Sequence, residues 1–224
     1  MMTLPKNTVR NSYDSTAKYY DFALKLYALV GIGKTFRKKA VSLLDLKRGD
    51  CVVELGCGTG VNFPFIIKRI GLEGRLIGVD ISPKMLDGAR RRIERAGWKN
   101  VELVQEDVAS YSYPAGVNAV LSTGVFGYVN NYDQVIELAA QAIVPGGRIA
   151  IMDGKCPDRM PTWVFKLFVW ASRPFGVTRD YFDKRTWESV ERYFLGTQFE
   201  DMYGGMLFLS SGKAGHHDNE DHCS

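Results

Sequence analysis

The chain has 224 residues, of which 46% are hydrophobic and 24% charged, and its formal net charge is +4. This composition is typical of a soluble globular protein and excludes a disordered, collagen-like or disulfide-stapled chain. The length fits one α/β domain with a sizeable core. The small net charge gives no reason to expect a nucleic-acid partner.

The four cysteines show no C-x-x-C spacing, which favours a reducing, cytoplasmic compartment and indicates no zinc site. Residues 22–32 are apolar but contain Lys25 and no cleavage site follows, so we expect no signal peptide. Residues 108–132 carry no charge, but Pro114 and Gly116 are among the residues that break them up. We therefore reject a transmembrane helix there.

Strands and helices alternate along the first two thirds of the chain. Apolar runs bounded by turn residues predict strands at Cys51–Leu55, Leu76–Val79, Val101–Val104, Ala119–Ser122 and Arg148–Met152. Amphipathic stretches predict helices at Lys34–Leu46, Phe63–Ile70, Pro83–Ala96 and Tyr132–Ile143. This alternation predicts an open parallel sheet that is covered on both faces and binds its ligand at the carboxyl ends of the strands.

Two of the predicted helices carry clusters of basic residues, which we interpret as solvated helix faces. The clusters contain Lys34, Arg37, Lys38 and Lys39 in the first helix, and Arg90, Arg91, Arg92 and Arg95 in the third.

The pattern changes after Met152. Residues 155–187 are rich in aromatic residues and proline, and we predict a lid-like insertion. Strands near Phe199–Tyr203 and Met206–Ser210, joined by a Gly204-Gly205 turn, then predict an antiparallel end to the sheet. We expect residues 1–212 to form one domain and the polar residues 213–224 to form a disordered tail.

A glycine-rich loop follows the first predicted strand. Residues 52–60 read V-V-E-L-G-C-G-T-G, so a buried strand leads into three alternating glycines before a helix. Glycines let the backbone turn sharply and approach a ligand, and Asp80 ends the next strand, where a carboxylate can accept hydrogen bonds from a ribose. The dinucleotide fingerprint would need glycine at Val61, which disfavours a dehydrogenase.

The segment from Glu54 to Gly60 resembles motif I of the class I S-adenosylmethionine-dependent methyltransferases. Asp80 in G-V-D-I-S, Asp107 in Q-E-D-V and the turn Pro145-Gly146-Gly147 match further landmarks of that family. The resemblance covers roughly residues 12–153. It implies a Rossmann-like fold with a seven-stranded, mostly parallel sheet, helices on both faces and an antiparallel closing strand.

The resemblance also implies S-adenosylmethionine as the cofactor and assigns its contacts. Glu54 would lie beside the methionine amino group, Asp80 would bind the ribose and Asp107 the adenine. A structural carboxylate at Glu54 and a solvated one at Asp107, which follows Glu106, remain alternatives. The complete predicted cofactor site contains Glu54, Gly56, Gly58, Gly60, Asp80, Ile81, Asp107, Val108 and Ser122.

The N-terminal segment from Tyr13 to Asp21 resembles the opening helix that caps the cofactor in many lipid and small-molecule methyltransferases, within an N-terminal region of residues 1–33. Simple packing of its aromatic residues is the alternative. We take Tyr13, Tyr20 and Tyr128 as the candidate catalytic residues, with Phe126 as a further wall of the acceptor pocket.

The acceptor is less constrained than the cofactor. All three histidines lie in the predicted tail, which disfavours a histidine base, and a flexible tail is poorly suited to a metal site. An amine acceptor fits, because aromatic faces can hold the cationic product. The arrangement is similar to bacterial soluble-type phosphatidylethanolamine N-methyltransferases and to quinone C-methyltransferases.

We therefore expect methyl transfer to an amine-bearing lipid such as phosphatidylethanolamine. C- or O-methylation of a quinone precursor or another small molecule is the first alternative, and a non-catalytic cofactor-binding scaffold is the second. Aromatic and basic residues between Pro161 and Lys184 add peripheral contact with the inner membrane surface as a further hypothesis. The oligomeric state stays open.

Overall fold

The structure, a computed structural model, describes residues 32–157, 161–172 and 178–215. Seven strands form one sheet in the order β3-β2-β1-β4-β5-β7-β6. Their bounds are β1 Cys51–Leu55, β2 Arg75–Asp80, β3 Val101–Gln105, β4 Val117–Thr123, β5 Ile143–Gly154, β6 Leu195–Met202 and β7 Leu207–Lys213.

The first five strands are parallel to one another, and β7 runs antiparallel to both of its neighbours, β5 and β6. The chain order reverses between β1 and β4, which are neighbours in the sheet. Leu55 pairs with Val79 on one side and with Ser122 on the other, so β1, β2 and β4 end at the same edge. In open α/β sheets, ligands bind at such a switch point.

Seven helices are described, with bounds α1 Ile32–Leu43, α2 Phe63–Ile70, α3 Pro83–Ala96, α4 Tyr132–Ala142, α5 Thr162–Ser172, α6 Arg179–Phe182 and α7 Thr186–Tyr193. A short 3₁₀ turn, Phe126–Tyr128, follows β4.

The sheet separates two apolar cores because successive strand residues point to opposite faces. Val52, Leu121 and Ala150 pack in the core that contains α1 and α2 residues. Val53 and Val120 pack in the other core, against residues of α4 and α7. Because the central strands are buried on both faces, their sequences are continuously apolar.

Most of the predicted architecture is confirmed: the seven-stranded, mostly parallel sheet has helices on both faces and an antiparallel strand near one edge. Gly204 and Gly205 adopt positive φ values of 66° and 86° in the turn between β6 and β7. The predicted N-terminal helices up to residue 31 lie outside the described residues.

Three features differ from the sequence prediction. Helix α7 forms where we predicted no regular element. The Pro-Gly-Gly turn is incorporated into β5, whose register with β4 shifts between Val117 and Ala119. At the other end, β7 continues to Lys213, and Ala214 is buried and donates its N–H to the carbonyl of Gly147, so the sheet extends into the segment expected to be a tail.

Residues 155–187, predicted as a lid-like insertion, contain α5, α6 and the start of α7. Their action as a lid stays a prediction.

Within the part of the chain that is described, no helix has the length and apolar character needed to cross a bilayer.

We predict that Phe208→Ala lowers the free energy of unfolding by about 3–5 kcal/mol, because it leaves a cavity in the core. Phe208 is fully buried and its ring lies 5.0 Å from that of Trp187 and 5.9 Å from that of Phe199. Denaturant titration measures the change. Phe199→Ala is the control, because Phe199 is 41% exposed and its loss should cost about 1 kcal/mol or less; equal losses would contradict the prediction.

Candidate active site

The glycine loop turns away from the end of β1 through Gly56, Gly58 and Gly60, whose φ values are 64°, 54° and 71°. A Cβ atom on Gly56 would lie 2.2 Å from Cγ2 of Val125, and one on Gly60 would lie 2.6 Å from the ring of Phe63. A Cβ on Gly58 would meet nothing within 4 Å. Two glycines are therefore required by packing, and Gly58 borders open space in which a ligand can approach the backbone.

Asp80, at the end of β2, holds this loop in place. Its Oδ2 accepts a hydrogen bond from the N–H of Gly58 at 2.8 Å, and its Oδ1 accepts one from the N–H of Ser82 at 2.9 Å. Ser82 in turn caps α3, accepting from the N–H of Met85 at 3.3 Å. The carboxylate thus joins the loop after β1 to the turn after β2, beside the open face of Gly58.

Glu54 has a buried carboxyl group with one oxygen paired. Its Oε1 accepts a hydrogen bond from Nδ2 of Asn62 at 2.6 Å, whereas Oε2 is buried and has no hydrogen-bond partner among the described residues. Burial raises the pKa of Glu54 to about 8, although the hydrogen bond from Asn62 and the charge of Arg37 act to lower it. An unpaired carboxylate oxygen in such a place suits a cationic ligand group.

A polar network extends from Glu54 towards α1. Arg37 Nη1 donates to Oδ1 of Asn62 at 3.3 Å and to Oγ1 of Thr123 at 3.2 Å. Asn62 Nδ2 also donates to Oγ1 of Thr123 at 3.1 Å. The network ties α1, the start of α2 and the end of β4 around the Glu54 carboxyl group.

The other predicted cofactor residues lie at the same edge. The N–H of Glu106 donates to the carbonyl of Asp80 at 3.1 Å, which brings Asp107 close to Asp80. Asp107 Oδ1 accepts from the N–H of Ala109 at 2.9 Å. Ile81 is half-buried and Val108 is buried. Ser122 is buried, and its Oγ has no hydrogen-bond partner among the described residues.

The predicted aromatic cage is only partly described. Tyr13 and Tyr20 lie outside the described residues. Tyr128 is half-buried, and its ring lies 4.8 Å from that of Tyr181 in an edge-on arrangement. Phe126 is fully buried within a hydrophobic core, so it does not form the open pocket wall that we expected. Burial on the core face of the 3₁₀ turn explains this difference.

Sequence reasoning missed a second buried acid at the same edge of the sheet. Asp153 is 4% exposed, at the end of β5. Its Oδ1 accepts hydrogen bonds from the hydroxyl of Tyr181 and the N–H of Gly154, and its Oδ2 accepts from the N–H groups of Val125 and Gly127. A charged residue at the end of a predicted strand was the signal that could have identified it.

The chain is similar to known methyltransferases. Residues 52–147 match the family model described as a methyltransferase domain. The chain is 28% identical over 207 residues to the demethylmenaquinone methyltransferase of Lactobacillus johnsonii, covering 89% of this chain and 84% of the relative. It is 26% identical over 171 residues to the 2-phytyl-1,4-naphthoquinone methyltransferase of Thermosynechococcus vestitus, covering 73% and 74%.

The solved structure of phosphoethanolamine N-methyltransferase 2 from Haemonchus contortus, in complex with S-adenosylhomocysteine, superimposes with a TM-score of 0.73 and 14% identity, covering 93% of this chain and 60% of that one. The protein is an S-adenosylmethionine-dependent methyltransferase. The enzyme's fold, its methyltransferase activity and its cofactor were thus predictable from the segment around the glycine loop.

The residues present in this methyltransferase fit S-adenosylmethionine. The buried Oε2 of Glu54 suits the amino group of the cofactor, Gly58 leaves room beside the backbone, and the Asp80 carboxylate stands at the end of β2 where a ribose would bind. These individual contacts remain predictions. No group of three or more His, Cys, Asp or Glu side chains in the described parts of the chain could hold a metal ion.

We predict that cofactor binding near pH 7 releases about one proton, because Glu54 holds a proton in the free protein and a cationic amino group at Oε2 would displace it. Calorimetric titration in buffers of different ionisation enthalpy measures this release. Glu54→Gln should abolish it and weaken binding by about ten- to a hundredfold. Glu102→Gln, which removes an exposed carboxylate paired with Arg75, is the control and should leave both unchanged.

The same group predicts how the stability of the cofactor-free protein depends on pH. The folded-state pKa of Glu54, about 8, lies above the ordinary value of 4.5 for a glutamate carboxyl group. Its contribution to stability is therefore fully present below the unfolded-state pKa and is lost as pH rises through the folded-state value. The decline in unfolding free energy over this window should be smaller for Glu54→Gln than for the parent; identical declines would contradict the buried, protonated state.

Proposed function

We propose that this methyltransferase methylates a ring carbon of a reduced quinone that carries an apolar chain. The observation that supports this acceptor is the alignment with a demethylmenaquinone methyltransferase over 89% of this chain and 84% of the relative. A second relative is named for a naphthoquinone with a phytyl chain. The two names share a naphthoquinone ring and differ in the chain, so we assign the acceptor class as a naphthoquinol with an apolar substituent.

The comparisons favour this alternative over the amine-bearing lipid that we first expected. The support for an ethanolamine-type acceptor comes from a solved structure that is 14% identical, and at that distance the similarity shows the fold alone. We therefore do not retain phosphatidylethanolamine as the preferred acceptor.

Quinol methylation sets a specific requirement for the protein. The cofactor supplies an electrophilic methyl group on a sulfonium, so the protein must orient the acceptor ring and receive the proton that the acceptor loses. The described residues include no histidine. Glu54 is assigned to the amino group of the cofactor, so Asp153 is the other buried carboxyl group among the described residues that is placed to take part in proton transfer.

Aromatic side chains connect this edge of the sheet to the protein surface. The ring of Tyr181 lies 4.9 Å from that of Phe182, which lies 5.2 Å from the ring of Phe165 on α5. Phe165 is buried, whereas Trp163 and Trp170 on the same helix are 71% and 64% exposed. An apolar chain attached to the acceptor ring would find apolar contacts along this path.

The acceptor is tested by incubating the purified enzyme with methyl-labelled S-adenosylmethionine and three acceptors: a short-chain demethylnaphthoquinol, the oxidised quinone, and phosphatidylethanolamine vesicles. We expect label in the naphthoquinol, on carbon, and none in the other two. The oxidised quinone is the matched control because its ring carbon is not activated by a hydroxyl group. Label in the phospholipid headgroup would contradict the proposal.

The outer side of α5 is the proposed contact with the membrane in which such an acceptor dissolves. Trp163, Leu167 and Trp170 follow the i, i+4, i+7 spacing of one helix face, and all three are exposed. Tryptophan is favoured at the bilayer interface.

We predict that Trp163→Ser combined with Trp170→Ser reduces binding to phospholipid vesicles at least tenfold. Burying each indole in the bilayer interface contributes about 1.5–3 kcal/mol to the binding free energy, and the substitutions remove this contribution. Vesicle co-sedimentation measures the change. Leu72→Ser is the control, because Leu72 is 73% exposed but lies between α2 and β2, away from the site. An unchanged partition of the double variant would exclude this face as the contact.

A further inference from the structure

Tyr181 and Asp153 form a hydrogen-bonded pair at the end of β5. Neither residue is among the predicted cofactor contacts. We infer that Tyr181 and Asp153 form the path along which the acceptor hydroxyl gives up its proton during methyl transfer. This inference rests on the proposed function, because it needs an acceptor that carries an ionisable hydroxyl group. Tyr181 would be the catalytic residue and Asp153 the positioning residue that acts through it.

The location of the pair supports this role. Thr123 belongs to the polar network around Glu54, and the next residue, Gly124, donates its N–H to the carbonyl of Met152 at 2.8 Å. Val125 then packs towards Gly56 of the glycine loop, and its N–H donates to Asp153. A single loop after β4 therefore contacts both the glycine loop and the Tyr181–Asp153 pair.

Asp153 is fixed in one orientation by donors on both oxygens. The N–H groups of Val125 and Gly127 donate to its Oδ2 at 3.1 and 3.3 Å, and the N–H of Gly154 donates to its Oδ1 at 2.8 Å. The Tyr181 hydroxyl also donates to Oδ1. Three backbone donors keep the carboxyl group in place even when the tyrosine proton moves.

The Tyr181 ring is held equally closely. A Cβ atom on Gly127 would lie 2.2 Å from its Cδ2, and one on Gly154 would lie 2.6 Å from its Cε1. Glycine at these two positions lets the ring fit between the 3₁₀ turn and the end of β5. The hydroxyl lies 3.9 Å from where a Cβ on Gly124 would be. The position of the phenol oxygen is therefore set by the backbone.

The proton balance of the step is complete. The acceptor O–H bond breaks and its proton passes to the Tyr181 oxygen, while the Tyr181 proton passes to Oδ1 of Asp153. The ring carbon, made electron-rich by the resulting oxyanion, forms its bond to the methyl carbon as the sulfur–methyl bond breaks and the electron pair stays on sulfur. The ring carbon then loses its C–H proton and the ring oxygen takes up a proton, which restores the ring hydroxyl. Asp153 releases its proton to solvent, so the overall reaction releases one proton.

Burial supports this direction of proton transfer. It raises the pKa of the Asp153 carboxyl above its ordinary value, against the lowering effect of the Tyr181 and backbone hydrogen bonds. A carboxylate with a raised pKa is a stronger base, and the proton acceptor works best when its pKa approaches that of its donor.

A second tyrosine–aspartate pair in the chain shows the contrasting, structural arrangement. The Tyr193 hydroxyl donates to Oδ2 of Asp133 at 3.0 Å, and Asp133 also accepts from Ser189 and Arg192. Its pKa is lowered, with the Ser189 hydrogen bond as the largest lowering cause. Asp133 and Tyr193 tie α4 to α7 away from the glycine loop, so this pair provides the matched control.

The test uses Tyr181→Phe and Tyr193→Phe in the full-length enzyme, with a series of short-chain naphthoquinols whose ring substituents make the hydroxyl progressively more acidic. For Tyr181→Phe we expect kcat to fall by about a hundredfold with the least acidic acceptor, and the loss to shrink as the acceptor becomes more acidic. KM and the calorimetric affinity for the cofactor should stay close to those of the parent. Tyr193→Phe should leave kcat unchanged with every acceptor.

The outcomes separate this inference from the proposed function. A parent enzyme that methylates none of the naphthoquinols overturns the proposed function and the proton path with it. Turnover by the parent together with an unchanged kcat for Tyr181→Phe overturns the proton path alone. A loss of the same size with every acceptor, or a loss confined to KM, would show that Tyr181 only shapes the pocket and would also overturn the path.

Discussion

Burial of the Glu54 carboxyl group at the switch point of the sheet is the constraint on which the site depends. A carboxylate in an apolar interior is costly unless it is paired, and only one oxygen of Glu54 has a partner in the described structure. Asn62 supplies that partner, and Arg37 and Thr123 hold Asn62 in position. The elements α1, α2 and β4 are therefore arranged around a group whose second oxygen suits the cationic end of the cofactor.

The type of cofactor was predictable from the sequence because the residues that indicate it lie close together in the chain. Glu54 and Asp80 lie near the ends of the consecutive strands β1 and β2, the glycines follow β1, and these parallel strands end at the same edge of the sheet. The short glycine loop restricts which backbone conformations are available. Fold class and the type of cofactor follow from these few residues.

The residues that the sequence did not reveal act through distant contacts. Arg37 was interpreted as part of a solvated basic helix face, yet it reaches Thr123, which is 86 residues away in the chain. Asp153 and Tyr181 are separated by 28 residues, in a region whose helices were predicted only as an aromatic insertion. Phe126 looked like a pocket wall because aromatic character alone does not distinguish a core side chain from an exposed one.

The loop after β4 makes the two halves of the site mutually dependent. Thr123, the last residue of β4, belongs to the network around Glu54, and Val125 and Gly127 of the loop hold Asp153. A shift of this loop by even an ångström would misplace both the groups that suit the cofactor and the group proposed to receive the acceptor proton. Methyl transfer needs those two positions to be correct at the same moment, and one short, hydrogen-bonded segment meets that requirement with few catalytic side chains.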